Sequence, residues 1–177
     1  NNFREIFSKE QQATFSDAFE TGNISREEFF ETLRQKGGGL GFTNAQAQTA
    51  WNAILLGLNL ENLEYVQNLR KKWPVFLLSN TNEVHIEQIH VELGEQTEHE
   101  SLKPYFEEVF LSHEIKLRKP DTEVFHYVAK VMGFEPEEVL FIDDSPQHVE
   151  GAIGSGMQAY YLDVSKQSVQ HVFDPVL

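Results

Sequence analysis

The feature that most constrains the fold is an alternation of short apolar runs and helical patterns after residue 70. Four runs rich in Val, Phe, Leu and Ile are bounded by turn-forming residues: Pro74–Ser79, Phe106–Ser112, Glu138–Asp143 and Gln158–Leu162. Their apolar character is typical of strands in a parallel sheet that helices cover on both faces. Helical patterns separate them, around Val84–Leu93, Asp121–Met132 and Pro146–Ile153. This order predicts right-handed βαβ units and an α/β fold with a Rossmann-like parallel sheet.

The residues before position 70 carry helical patterns and no strand pattern. Apolar residues recur at helical spacing near the start of the sequence, at Phe3, Ile6 and Phe7. Two capping-box patterns indicate helix starts further on, at Ser25 with Glu28 and at Thr43 with Gln46. We therefore predict a helical cap domain over residues 1–66 and an α/β core over residues 67–177.

Composition excludes several classes of function. The net charge of −14 argues against binding to nucleic acid or to an anionic membrane surface, which both need clustered Lys and Arg. The absence of cysteine excludes disulfides, thiolate catalysis and Cys-bound zinc. No stretch approaches the roughly 20 apolar residues of a membrane span, and residues 1–4 show no signal-peptide pattern. We expect a cytoplasmic protein with no nucleic-acid or membrane partner; the oligomeric state stays open.

Polar residues follow the predicted strands at their carboxyl ends, which is where α/β sheets bind ligands. Ser79 and Asn80 end the first strand, and a hydroxyl beside a helix start suits phosphate oxygens. The alternative for them is a helix cap and turn. Lys119 follows the second strand, and a cation there can neutralise a phosphoryl group. A lone basic residue is more often a surface residue, so Lys119 is a weak indication by itself.

The third strand ends directly in two adjacent carboxylates, Asp143 and Asp144. Neighbouring carboxylates at the end of a buried strand repel each other and lose hydration, which is costly without a counter-ion. Mg²⁺ commonly takes one or two such carboxylates together with waters and substrate phosphate. The pair therefore predicts a magnesium site. The alternative is two helix-capping aspartates ahead of Pro146.

Three motifs occur in a fixed order along the chain: LSNTN, LRKPDTEVF and LFIDDSPQHVEGA. With this order, the sequence resembles the haloacid dehalogenase (HAD) superfamily, in which these are the second, third and fourth motifs. Together with GNISREEF in the cap, they are most similar to the sugar-phosphate phosphatase branch, which includes α-glucose-1-phosphate phosphatases. The resemblance implies a Mg²⁺-dependent phosphoric monoester hydrolase that acts on a small phosphorylated metabolite through an aspartyl-phosphate.

The resemblance also implies roles for individual residues of the first two motifs. Ser79 and Asn80 would bind the phosphoryl group, and Lys119 would stabilise its charge and hold the nucleophile. The helical cap would cover the pocket and select the leaving group of the substrate. Trp51 and the phenylalanines of the cap are candidate contacts, although core packing is the more common role of such residues.

In the last motif, the resemblance implies a set of metal-binding residues. Asp144 matches the metal-binding acid, Asp143 would be a further ligand or a partner of the ligands, and Ser145 would support them. The family's nucleophile and its general acid–base are the two aspartates of a D-x-D motif on a first, central strand. No D-x-D motif occurs in the 177 residues.

The missing motif leaves alternatives open. The first strand normally lies between the strands that carry Ser79 and Asp144, so a sheet without it would have unpaired inner edges. We favour a normal phosphatase with a further segment. The other interpretations are a truncated chain that folds with a partner strand, and a catalytically inactive phosphate- and metal-binding module. A haloacid dehalogenase is disfavoured by the paired aspartates, since halide release needs no magnesium.

Overall fold

The computed structural model describes the backbone of residues 9–39 and 41–173. The helices of these residues are α1 (Lys9–Glu20), α2 (Arg26–Lys36), α3 (Asn44–Asn52), α4 (Leu60–Leu69), α5 (Glu83–Gln96), α6 (Ser112–Ile115), α7 (Thr122–Met132), α8 (Pro146–Gly154) and α9 (Gln170–Phe173). The strands are β1 (Phe76–Ser79), β2 (Glu108–Leu111), β3 (Leu140–Asp143) and β4 (Gln158–Tyr161). The predicted helical pattern of Phe3, Ile6 and Phe7 lies outside the described residues.

Local chemistry sets several helix ends where the sequence predicts them. Both capping boxes are present, at the start of α2 and at the start of α3. Gly133 ends α7 with φ of 78°, a left-handed conformation that glycine adopts without strain. The sequence also suggests Pro120 as a first-turn proline of this helix. That prediction is wrong, because Asp121 is the N-cap and α7 begins only at Thr122.

The strands pair in parallel, as predicted, but within the described residues they form two separate sheets of two strands. Phe76 of β1 is in register with Glu108 of β2, and Leu140 of β3 with Gln158 of β4. Two-stranded sheets are consistent with the absence of the central strand that the family resemblance implies. They also explain why the strands are less buried than a doubly covered sheet predicts, with Leu140 45% exposed.

The chain divides into two compact units, each made of two segments. The first unit comprises residues 1–58 and 76–116, and the second comprises residues 59–75 and 117–177. The cap–core boundary at residue 66 stays a prediction.

Phenylalanines form the core of the first unit. Phe19 and Phe29 stack with ring centroids 4.1 Å apart, and Phe30 is fully buried beside them. In the second unit, Phe125 of α7 is fully buried and meets Phe141 of β3 edge-on at 5.1 Å. Aromatic burial of this kind is a large part of the stability of a small unit.

Glycine allows a close approach between the helices of the second unit. Gly151 of α8 lies against the backbone of Pro120 and the ring of Phe125. An added Cβ would overlap the Pro120 carbonyl oxygen and crowd the Phe125 ring. No helix of the described residues is both long and apolar enough to cross a membrane.

Candidate active site

The Ser79–Asn82 turn joins β1 to α5 in the first unit. Ser79 and Asn80 are half-buried, whereas Thr81 is 6% exposed and Asn82 is fully buried. Asn82 is the N-cap of α5, where its Oδ1 accepts a hydrogen bond from the backbone N–H of His85 at 3.1 Å. The turn therefore stands at the amino end of a long helix, whose free N–H groups favour an anion.

Ser112, the first residue of α6, holds the backbone of this turn. The Thr81 N–H donates to Ser112 Oγ at 2.9 Å. The same Oγ lies 2.9 Å from the carbonyl oxygen of Thr81 and 2.6 Å from that of Glu20, the last residue of α1. Ser112 is fully buried. One hydroxyl thus links the end of α1, the exit of β2 and the turn after β1.

Two side chains of the first unit meet the buried amide of Asn82. Trp51 Nε1 lies 3.4 Å from Asn82 Oδ1, and His85 Nδ1 lies 3.2 Å from Asn82 Nδ2. His85 Nε2 lies 3.2 Å from the carbonyl oxygen of Trp51, and the two rings stack at 5.4 Å. Burial lowers the pKa of His85, and the hydrogen bond to the Trp51 carbonyl opposes that shift. Within this unit, Trp51 thus contacts Asn82 and His85 through hydrogen bonds and through ring stacking.

In the second unit, Lys119 and Asp143 form a buried ion pair. Lys119 Nζ donates to Asp143 Oδ2 at 2.7 Å, and the two side chains are 8% and 9% exposed. The ammonium group also lies 5.5 Å from the ring centroid of Phe141, within cation–π distance. A buried charge is tolerated when it is paired and hydrogen-bonded, and both conditions are met here.

The second oxygen of Asp143 is occupied as well. Oδ1 accepts a hydrogen bond from the Ser145 backbone N–H at 2.9 Å and lies 2.9 Å from Nδ1 of His148. Burial by itself raises the pKa of Asp143, but the hydrogen bond and charge of Lys119 outweigh it, helped by Ser145 and His148. The pKa of Asp143 is therefore below its ordinary value, and the group is ionised at neutral pH.

Asp144 differs from its neighbour in having a free carboxylate. It is exposed, and within the described residues it has no hydrogen bond or ion pair. No group of three or more His, Asp and Glu residues suited to a metal occurs in that part of the chain. Because both oxygens of Asp143 are already hydrogen-bonded, Asp144 supplies the available carboxylate. One free carboxylate fits Mg²⁺, which completes its shell with waters and phosphate, and does not fit an all-protein cage or a zinc site.

The predicted site residues fall into two groups. Ser79 and Asn80 lie in the first unit. The second unit contains the remaining four, Lys119, Asp143, Asp144 and Ser145, and there Asp143 contacts both Lys119 and Ser145. Sequence reasoning missed His148. A clue was available, because Pro146 starts α8 and places a residue of its first turn near the end of β3.

Comparison with known proteins identifies the family. A model of the haloacid dehalogenase-like hydrolases matches residues 3–156, which is most of the chain. The chain belongs to this family, as its three motifs predict.

Two similar proteins, one with a named activity and one with a solved structure, match most of this chain. The D-ribitol-5-phosphate phosphatase of Bacteroides thetaiotaomicron is 29% identical over 141 residues, which are 80% of this chain and 68% of that protein. A solved structure of a HAD family enzyme from the same organism has a TM-score of 0.88 and 31% identity, covering 97% of this chain and 83% of its own.

A second structure of that enzyme is a complex with magnesium and inorganic phosphate. It has a TM-score of 0.83 and 30% identity, and the match covers 97% of this chain and 84% of the enzyme. The predicted superfamily and α/β fold are confirmed, and the predicted Mg²⁺ and phosphatase class agree with these relatives.

Proposed function

We propose that the protein is a magnesium-dependent phosphatase for a small phosphorylated metabolite of the sugar-phosphate class. The observation that carries the proposal is the buried Lys119–Asp143 pair beside the exposed carboxylate of Asp144, in a chain of the HAD-like hydrolase family. The phosphatase name of one relative and the magnesium and phosphate bound to another support it. The predicted cytoplasmic location stays a prediction.

Each proposed role follows from the surroundings of the residue. Asp143 fixes the position of Lys119, so that the ammonium group is held in place to stabilise charge on a phosphoryl group. The oxygens of Asp144 are available for Mg²⁺. A Mg²⁺ ion bound there would act as a Lewis acid and stabilise charge on phosphate oxygens. In the first unit, Ser79 and Asn80 would bind a phosphoryl group through the hydroxyl of Ser79 and the backbone amides of the turn.

The attacking carboxylate is the part of the mechanism that these 177 residues lack, since they contain no D-x-D motif. The proposal therefore requires a further segment that supplies it. The absence of the motif favours a second candidate, a module that binds phosphate and Mg²⁺ without turnover. Because Asp143 and Asp144 are adjacent, both candidates fit better than a dehalogenase, which needs no magnesium.

The test is phosphate release by the purified full-length protein. D-Ribitol 5-phosphate and α-glucose 1-phosphate are offered with Mg²⁺ and then with EDTA. We expect release that depends on Mg²⁺, and activity that persists undiminished in EDTA would rule the proposal out. Binding of Mg²⁺ and phosphate without any release would instead support the second candidate.

A matched pair of variants tests the role of Asp144. Asp144→Asn removes the free carboxylate, and we expect turnover to fall at least about 100-fold, the usual loss when a charge-stabilising group is removed. Asp163→Asn is the control, because Asp163 also follows a strand but is hydrogen-bonded to Ser165 and Lys166. The control should retain wild-type turnover; similar losses in both variants would contradict the metal role of Asp144.

A further inference from the structure

The two halves of the Ser79–Asn82 turn differ in burial and in their hydrogen bonds. Its second half is buried, with Thr81 hydrogen-bonded to Ser112 and Asn82 enclosed by Trp51 and His85. Its first half, which carries the proposed phosphate-binding residues, is half-buried. Contacts that orient Asn82 therefore orient the residues immediately before it, because the four residues form one continuous turn.

The hydrogen bonds around Asn82 determine its amide orientation. Its Oδ1 accepts from the backbone N–H of His85, which can only donate. The amide NH₂ must therefore face His85 Nδ1, 3.2 Å away. Since that NH₂ group can only donate, Nδ1 of His85 must accept and carries no proton.

The other ring nitrogen of His85 has the opposite requirement. Nε2 lies 3.2 Å from the carbonyl oxygen of Trp51, which can only accept. Nε2 must therefore carry the proton. Both contacts together select one neutral tautomer of His85, and a second proton at Nδ1 would place two donors against each other.

We propose that His85 is a positioning residue for phosphate binding, which in its neutral, Nε2-protonated form orients the Ser79–Asn82 turn through Asn82 and joins it to Trp51 of α3. This inference rests on the proposed function, because it takes Ser79 and Asn80 to be the phosphate contacts. His85 would act on phosphate binding only through Asn82 and the turn. Nothing in the sequence motif identifies it, since its partner Trp51 lies 34 residues away along the chain.

The charges around His85 leave this tautomer undisturbed. Helix α3 (Asn44–Asn52), which supplies Trp51, has no titratable side chain. On α5, Glu83 and Glu87 are the charged neighbours, and both pair with Arg26 of α2. Burial therefore dominates, and it lowers the pKa of His85. Acidification through that pKa would break the contact with Asn82.

Two kinds of measurement on the full-length protein test the inference. In ¹⁵N-histidine NMR spectra, His85 should be the Nε2–H tautomer and should titrate below the ordinary histidine value of 6.5. Asn82→Asp replaces the donating NH₂ by a second acceptor oxygen, so it should raise the pKa of His85. Asn59→Asp is the control, because Asn59 caps α4 in the same way. An Nδ1–H tautomer, or an unchanged pKa in Asn82→Asp, would overturn the inference.

Binding of inorganic phosphate, measured by calorimetry, is the second readout. His85→Phe keeps an aromatic ring but loses both hydrogen bonds of the imidazole. The bond to Asn82 is the one that orients the turn, and its loss should weaken phosphate binding about fivefold. His85→Asn keeps an acceptor for Asn82 and cannot titrate. Its affinity relative to the wild type should be near one at about pH 8 and should rise at a pH below the His85 pKa that the NMR titration gives. The titration of phosphate itself cancels in this ratio.

The outcomes separate the two proposals. Equal phosphate affinity in the wild type and His85→Phe, or a ratio of His85→Asn to wild type that does not change with pH, would overturn the positioning role alone. A wild-type protein that binds no phosphate would overturn the proposed function and this inference with it. Should His85→Phe not fold, the pH-dependent ratio of His85→Asn still decides the question.

Discussion

The buried Lys119–Asp143 pair predicts a large loss of stability in Asp143→Asn. The substitution keeps the size of the side chain and one acceptor oxygen but removes its charge. Lys119, whose side chain is 8% exposed, would lose the carboxylate that lies 2.7 Å from its Nζ and could not recover full hydration. Removing one partner of a buried pair costs about 3–5 kcal/mol. Because whole domains are stable by only about 5–15 kcal/mol, this loss is a large share of the total.

Urea unfolding followed by circular dichroism measures this loss as a change in the free energy of unfolding. The matched control is Asp163→Asn. Asp163 pairs with Lys166 at 2.6 Å, but the lysine side chain is 78% exposed, and ion pairs at the surface contribute little. Equal losses in Asp143→Asn and Asp163→Asn would refute the argument that burial makes the Lys119–Asp143 pair important.

The same pair predicts how the difference between wild type and Asp143→Asn depends on pH. The pKa of Asp143 is lower in the folded protein than its ordinary value of 3.8. A carboxyl group of this kind stabilises the fold above its unfolded-state pKa, and the contribution is lost as pH falls through the folded-state pKa. The difference in stability between the two proteins should therefore begin to shrink as pH falls below 3.8 and vanish only below the lower folded-state pKa of Asp143. A constant difference from pH 7 to pH 3 would contradict this cause.

Two further substitutions test the contacts of the first unit, each by urea unfolding. Ser112→Ala leaves buried backbone groups without a partner and should lower the free energy of unfolding by about 1–3 kcal/mol. The control Ser155→Ala removes one local hydrogen bond and should cost less. A smaller loss in Ser112→Ala than in Ser155→Ala would argue against the linking role of Ser112. Gly22→Ala adds left-handed strain of about 1–2 kcal/mol and an overlap with the His113 carbonyl oxygen, whereas Gly38→Ala adds the strain alone. Gly22→Ala should thus be the more destabilising, and equal effects would show that the overlap relaxes freely.

The residues at the strand exits could be predicted because their chemistry is local. Ser79 and Asp143 are the last residues of β1 and β3, as the short apolar runs before them predict. The same holds for the helix starts at Ser25 and Thr43, where the cap and its partner are three residues apart.

The contacts that support those residues could not be predicted, because they join distant segments. Ser112 meets Glu20 from 92 positions away, and no spacing rule connects them. The pairing of His85 with Trp51 depends on how α3 packs on α5, which periodicity does not specify. The sequence also predicts one sheet, whereas the described strands form two, β1 with β2 and β3 with β4.

The enclosed second half of the Ser79–Asn82 turn has a consequence for the thermodynamics of binding. Ordering a flexible loop residue costs roughly 1–2 kcal/mol of conformational entropy, and a ligand that must order its own loop loses that amount of affinity. Here Ser112 and His85 hold Thr81 and Asn82 in the folded protein before any ligand binds. A ligand of this turn would therefore meet a preorganised surface, and its binding enthalpy would not be offset by loop ordering.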